Sequence, residues 1–243
     1  MSQTREHIIG RELRCIQQLC FRTLIVALCI FSSSAGAWQE GPKPVTQLVD
    51  DAEIARENTL NGYTVTERYS VFRNDASEPA ATRTVKTVFT KGQGKKYEEV
   101  SRTGSSAIQK YVLDRILSEE GKISKGDDRK NVLVTSANYT MEQDKSSERS
   151  GRNCLVFKLT PKRKSPYLLE GRVWVDAQNF HLVRVEGRPS AKPSFWVGHP
   201  WISRDYQDIQ GVSLATYSKS ESKNLFWGTT AVVIQYDDYH LVP

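Results

Sequence analysis

The chain has 243 residues, 38% of them hydrophobic and 26% charged, with 34 Lys+Arg against 28 Asp+Glu for a formal charge of +6. That excess is small and mixed, and its only tight run is Lys162-Arg163-Lys164, set as a solvated turn between Pro161 and Ser165-Pro166, so no nucleic-acid partner is expected.

The first 37 residues read as a secretory signal. Arg5, Arg11, Arg14 and Arg22 precede the apolar run 23–31, and small residues lead to Ala35-Gly36-Ala37 ahead of Trp38, an A-x-A cleavage pattern. The apolar run is well short of the roughly 20 residues a spanning helix needs, and Ser, Ala and Gly follow it instead of a basic stop. Leu28 before Cys29 does not suit the lipoprotein signal peptidase. The long polar stretch ahead of the run leaves an uncleaved anchor as the alternative. Cleavage would give a periplasmic protein without a stable membrane span. Residues 38–243 carry a formal charge of +4, because the four arginines, Glu6 and Glu12 leave with the signal. Cys154 is then the sole cysteine, so no internal disulfide can form and a core must hold the domain together. Its alternation with Leu155, Phe157 and Leu159 predicts a buried, inert thiol.

Within 38–243, helical spacing of Leu48, Asp51/Ala52 and Ala55 predicts a helix over 44–58, stopped by Asn61-Gly62. A long half-buried strand follows over 63–73, with Tyr63, Val65, Tyr69 and Val71 on one face. Strands are expected at 82–91 and 95–102 around Gly92-Gln93-Gly94. A second helix spans 107–118, with Ile108, Tyr111, Val112, Arg115 and Ile116 at spacings of three and four, and Gly121 ends it. Residues 131–137 fit strand or helix equally. The remainder reads as an antiparallel meander, with strands at 139–145, 153–160, 168–175, 181–187, 195–197 continuing near Ile202, 212–220 and 229–239; Asp176-Ala-Gln-Asn179 forms a hairpin turn.

These periodicities define an α+β chain that is mainly β. One domain over 38–243 holds a curved antiparallel sheet of roughly eight to ten strands, with two helices covering its concave face. On the strand 168–175, Leu169, Gly171, Val173 and Val175 share the inner face, while Glu170, Arg172 and Trp174 face water. Later strands add Val183, Val185, Val232, Ile234 and Tyr236 to the inner set.

No catalytic apparatus is recognisable. His181, His199 and His240 lack the spacing of a zinc-binding helical pair, and no nucleophile elbow, P-loop or dinucleotide fingerprint occurs, so no metal, no cofactor and no enzyme are expected. Ser220-Glu221-Ser222-Lys223 fits Ser-x-x-Lys without companion motifs. The aromatic segment Phe195-Trp196-Val197-Gly198-His199-Pro200-Trp201 suits a ligand entrance, a partner contact or a loop packed over the core.

The order of elements, together with Gly151-Arg152-Asn153-Cys154, Leu159-Thr160-Pro161-Lys162, Val173-Trp174-Val175-Asp176 and Val183-Arg184-Val185-Glu186, resembles the bacterial lipoprotein-localisation carriers LolA and LolB and their outer-membrane lipoprotein-sorting-like relatives. The resemblance covers most of 44–241. It implies an incomplete antiparallel barrel, a half-barrel whose helix-closed concavity holds acyl chains of a lipid or lipoprotein. On that reading the ligand-binding residues are Val65, Tyr69 and Val71, then Phe157, Val173 and Val175, then Val183, Val185, Ile234 and Tyr236. It also implies an arginine on an early strand tied to lid opening, for which Arg68 and Arg73 are the candidates. The alternative is an envelope sensor of the same fold that binds a protein partner.

Overall fold

The computed structural model describes residues 42–193, 199–224 and 228–242. The signal-peptide assignment and the strand expected at 195–197 lie outside the described residues.

Helix α1 (Val45–Thr59) leads into β1 (Gly62–Arg73), β2 (Ala81–Thr90) and β3 (Gly94–Gly104). Helix α2 occupies 106–123, with a π turn over Gln109–Leu113, and a short α3 (Gly126–Lys130) follows. The remaining strands are β4 (Tyr139–Gln143), β5 (Ser147–Arg149), β6 (Arg152–Pro161), β7 (Leu169–Asp176), β8 (Leu182–Pro189), β9 (Trp201–Ile209), β10 (Val212–Asn224) and β11 (Gly228–Val242). Residues 131–137, which fit strand or helix equally in sequence, form turns.

All pairings are antiparallel, in the order β3-β2-β1-β11-β10-β9-β8-β7-β6-β4, with β5 also on β6, and the two edges do not close into a barrel. The first and last strands therefore meet in the middle of the sheet. The strands joined by residues 105–138 are the two edges, β3 and β4. Those residues form a strap that has to travel from one edge of the sheet to the other.

The core is divided. One apolar cluster gathers Val65, Tyr69, Val71, Phe89, Val232 and Ile234 under Leu113 and Ile116 of α2. A second gathers Phe157, Leu159, Val173, Val175 and Val185 under Val49 of α1. Each helix thus covers its own half of the sheet.

Three local features depart from the sequence reading. The buried face of α1 is turned by one position: Val49 and Glu53 are buried, while Ala55 is exposed. Glu53 tolerates burial because Arg56 donates to both of its oxygens, at 3.2 and 3.0 Å. In α2 the π turn inserts an extra residue, so the inward stripe is Gln109, Leu113 and Ile116, and Tyr111 is 58% exposed. Gly121 does not end that helix, which runs to Ile123, where the Ser124 hydroxyl donates to the Gly121 carbonyl at 2.8 Å. The alternation expected on β7 is present, with Val173 and Val175 buried and Glu170 and Arg172 exposed.

Candidate functional site

Between the two core clusters lies a cavity of about 200 Å³. Ile116, Val232 and Ile234 reach it from one side, and Val134, Tyr139, Leu169 and Val185 from the other. Pro166, Tyr167, Pro193 and Ile202 complete its largely apolar wall. A second cavity of about 170 Å³ adjoins it beneath α1 and is more polar, with Glu53, Arg56, Lys95, Arg129 and Tyr236 in its lining. Glu120, Ile123, Val132, Val134, Arg204 and Tyr206 line both. A cavity of about 150 Å³ accommodates benzene, so the first space has the volume and the wall for a short apolar segment, whereas the charges around the second suit polar atoms.

The strap roofs these spaces and is pinned at several points. Asp50 of α1 accepts from the Ser136 amide at 2.7 Å and from its hydroxyl, and Arg129 donates to Glu57 at 2.9 Å. From the β6–β7 loop, Arg163 donates to the Asn138 side chain at 2.8 Å and to the Asn131 carbonyl, and the Tyr167 hydroxyl donates to Glu119. Hydrogen bonds from Lys122 and Tyr167 hold the Glu119 carboxyl below its usual range, whereas burial and the Glu119 contact push the Tyr167 hydroxyl up to about 12.

At the other end of the strap, Arg83 on β2 is buried. It donates to Gln109 at 3.0 Å and to Asp114 at 2.6 Å, while Gln109 donates to the Thr82 and Thr103 carbonyls at 2.8 Å each. Residues five apart diverge on an α-helix; the wider π turn brings Gln109 and Asp114 round to one arginine. Of the two arginines named from the sequence, Arg68 is exposed on β1 and Arg73 is the last residue of that strand. Arg83 alternates with Ala81 and Val85 on the inward face of β2, the periodic signal that could have singled it out.

A charged cluster joins β1 and β3 to the strap and reaches the smaller cavity through Lys95 and Glu120. Glu67 is fully buried, and Lys95 donates to it and to Glu120 at 3.0 Å each. The Tyr69 hydroxyl donates to Glu67 at 2.5 Å and reaches Glu120 at 3.4 Å. Burial opposes the Lys95 ammonium, but the Glu120 and Glu67 carboxylates outweigh it and hold its pKa well above the usual lysine value. Burial likewise opposes the Glu120 anion, yet Lys95, Arg204 and the Tyr69 hydroxyl keep its pKa below the usual carboxyl value. Arg204 lies in the same wall, bonded to the Tyr206 side chain and raised in pKa, against burial, by Tyr236, Tyr206 and Glu120. Sequence reasoning passed over these charges, although Glu67 falls at period two between Val65 and Tyr69, as Arg204 does between Ile202 and Tyr206.

Of the ten residues singled out as ligand-binding, Val185 and Ile234 line the larger cavity and Tyr236 the smaller. Val65, Tyr69, Val71, Phe157, Val173 and Val175 are buried in the two clusters and line neither. Val183 is also buried but belongs to neither cluster. The β7–β8 register slips between Trp174 and Val175, so that Val175 pairs with Leu182 and Val183 becomes the unpaired residue of a bulge. Leu182 takes the inner position and lines the smaller cavity. Of the aromatic segment, only 199–201 lie among the described residues; Trp201 opens β9 at 43% exposure, with the Arg188 guanidinium 5.9 Å from its ring.

Cys154 is 1% exposed, and burial pushes its thiol pKa up. Among the described residues, no group of three or more His, Cys, Asp or Glu side chains is placed to hold a metal ion, and no helix is long and apolar enough to cross a membrane.

No family model and no curated protein matches the chain. Among solved structures it is similar to a LolA superfamily protein from Nitrosomonas europaea, at 11% identity over 82% of this chain and 94% of that one, with a TM-score of 0.43. It is similar to a putative outer membrane lipoprotein-sorting protein domain from Vibrio parahaemolyticus, at 14% identity over 81% and 91% of the two chains, with a TM-score of 0.48. A DUF1329 family protein from Desulfovibrio piger aligns at 14% identity over 82% and 94%, with a TM-score of 0.40. The resemblance read from the sequence recurs in the first two.

Proposed function

We propose that the chain is an exported, periplasmic, non-catalytic binding protein in which residues 38–243 form one half-barrel domain that shelters an acyl chain of a lipid or lipidated protein. The observation that carries this reading is the apolar cavity of about 200 Å³ at the seam between the core clusters. A seam of this kind binds without chemistry: each methylene moved from water into it contributes about 0.8 kcal/mol. A chain longer than the seam would be admitted by displacing the strap, which hydrogen bonds and ion pairs hold at both ends in addition to its apolar contacts.

The test compares two tryptophan substitutions of equal size, with a fluorescent fatty-acyl probe as ligand. Val185→Trp places its ring where the cavity is and should leave the fold intact while abolishing probe binding. Val173→Trp has no such space and should destabilise the protein by about 1 to 3 kcal/mol through overpacking. If the unaltered protein shows no saturable probe binding, the carrier reading fails and a module that binds a protein partner replaces it.

A further inference from the structure

Resting on that reading, we infer that the exported protein docks on an anionic phospholipid bilayer through a cluster of cations beside the apolar cavity, formed by Lys162, Arg163, Lys164 and Lys192. The tight basic run 162–164 occupies the β6–β7 loop. Pro166 and Tyr167, which follow it, line the cavity, and so does Pro193, which follows Lys192. Pro166 and Tyr167 are half-buried, so the cavity wall reaches solvent next to the run. The two basic segments are held together: the Ala191 amide donates to the Ser165 carbonyl at 3.1 Å, and the Ser165 amide donates to the Ser190 hydroxyl at 2.9 Å. The Lys162 amide donates to the Asn138 carbonyl at 2.9 Å, and the bonds from Arg163 to Asn138 and Asn131 fix the same loop against the strap.

All four cations are exposed, and no carboxylate among the described residues forms an ion pair with any of them. The nearby Lys122 and Lys130 are matched by Glu119 and Asp127. Asp50, bonded to Ser136, and Asp128, which faces Tyr167, are the unmatched carboxylates brought close, so cations predominate. The composition decides the partner. The centre of a protein–protein interface is rich in aromatic residues and poor in lysine, whereas this cluster is mostly lysine. None of the exposed large hydrophobic side chains among the described residues belongs to either loop. Clustered cations next to an apolar space match a bilayer instead, with phosphates at its surface and acyl chains beneath. Each basic residue near an anionic surface is worth about fivefold in partitioning, an attraction that salt screens. Four such residues give reversible docking, which suits a protein that must leave again with its ligand.

The experiment floats the exported protein with vesicles of equimolar phosphatidylglycerol and phosphatidylcholine, and with vesicles of phosphatidylcholine alone. The anionic vesicles should be bound at least about tenfold more tightly, and high salt should remove the difference. A triple variant, Lys162→Gln with Lys164→Gln and Lys192→Gln, should lose at least about tenfold in binding to anionic vesicles while the fluorescent fatty-acyl probe binds it in free solution as before. Arg163 stays, because it fastens the loop. Removing the same charge at the exposed Lys86, Lys96 and Lys145 should cost no more than about twofold. The comparison of the two vesicles stands even if a variant fails to fold. Equal binding to both vesicles, a loss under about twofold in the first triple variant, or equal losses in the two variants would each overturn the inference and leave acyl-chain binding intact. Binding to polyglutamate but to neither vesicle would overturn it too, and would assign the cluster to an acidic protein. Absence of saturable probe binding would overturn both readings, since nothing would then be taken from the surface.

Discussion

Removing the ammonium of Lys95 should reverse the way stability responds to acid. In Lys95→Met the aliphatic stem is kept, but Glu67 and Glu120 lose the donor that bonds each of them at 3.0 Å. Glu67 is fully buried, and the Lys95 and Glu120 side chains are only 13% and 15% exposed, so solvent screening offers little relief. Breaking one side of such a pair costs about 3 to 5 kcal/mol, which for a domain of this size lowers Tm by roughly 6 to 20 °C. The sign of the pH dependence follows from Glu120. In the unaltered protein its folded pKa is depressed, so its contribution is present above the unfolded value of about 4.3 and is lost as pH falls through the lower folded value. In the variant, burial without the ammonium places the folded pKa above the unfolded one, and stability is then lost as pH rises between the two. Urea denaturation followed by circular dichroism at about pH 7 and about pH 4.5 should therefore show a wide gap between the two proteins at neutral pH and a narrower one in acid. A neutral-pH loss below about 1 kcal/mol, or a gap equally wide in acid, would refute the reasoning.

Gly171→Ala should cost about 3 kcal/mol or more in chemical denaturation, because a Cβ there would run into the Glu186 carbonyl and lie 2.6 Å from the Gly187 Cα, both of them backbone of the paired strand β8; a loss under about 1 kcal/mol would mean that the two strands part easily at that point. Arg83→Met should destabilise by about 1 to 3 kcal/mol, leaving the buried Gln109 side chain without its donor, and should raise amide exchange in α2 before that in β7; uniform exchange would show that the arginine does not fasten the strap. Cys154→Ser should lower stability by about 1 to 3 kcal/mol, since the new hydroxyl inherits a buried position, yet leave acyl-probe binding unchanged; loss of binding in a folded variant would reveal a role for the thiol.

The strands were legible because alternation is a direct record of which side of a sheet each residue occupies. Leu169, Val173 and Val175 announce their face, and so do Val232 and Ile234. What alternation cannot record is volume: the same pattern places Val173 in solid packing and Val185 against an open seam. Nor does it register an inserted residue. The bulge at Val183 and the π turn at 109–113 each move a side chain to a new face without altering local composition. The inward charges were lost for a different reason. Glu67 and Arg83 sit at periodic core positions, but a sequence shows no partner for them, and it is the partner, Lys95 for the one and Gln109 for the other, distant in the chain, that makes such burial tolerable.

The junction of β1 with β11 governs the route by which the chain can fold. Gly62 pairs with Val242 and Arg73 with Thr230, contacts between the beginning and the end of the sheet-forming sequence. The β1-β2-β3 hairpins are complete early, but the apolar face they present is shared with Val212, Leu214, Val232 and Ile234 and has no cover of its own on that side until those strands arrive. A chain delivered N-terminus first must therefore wait for its last strand before the halves of the sheet join and α2 gains its full seat. Such long-range closure is slow, and until it happens β1 offers an unpaired edge to any neighbouring chain.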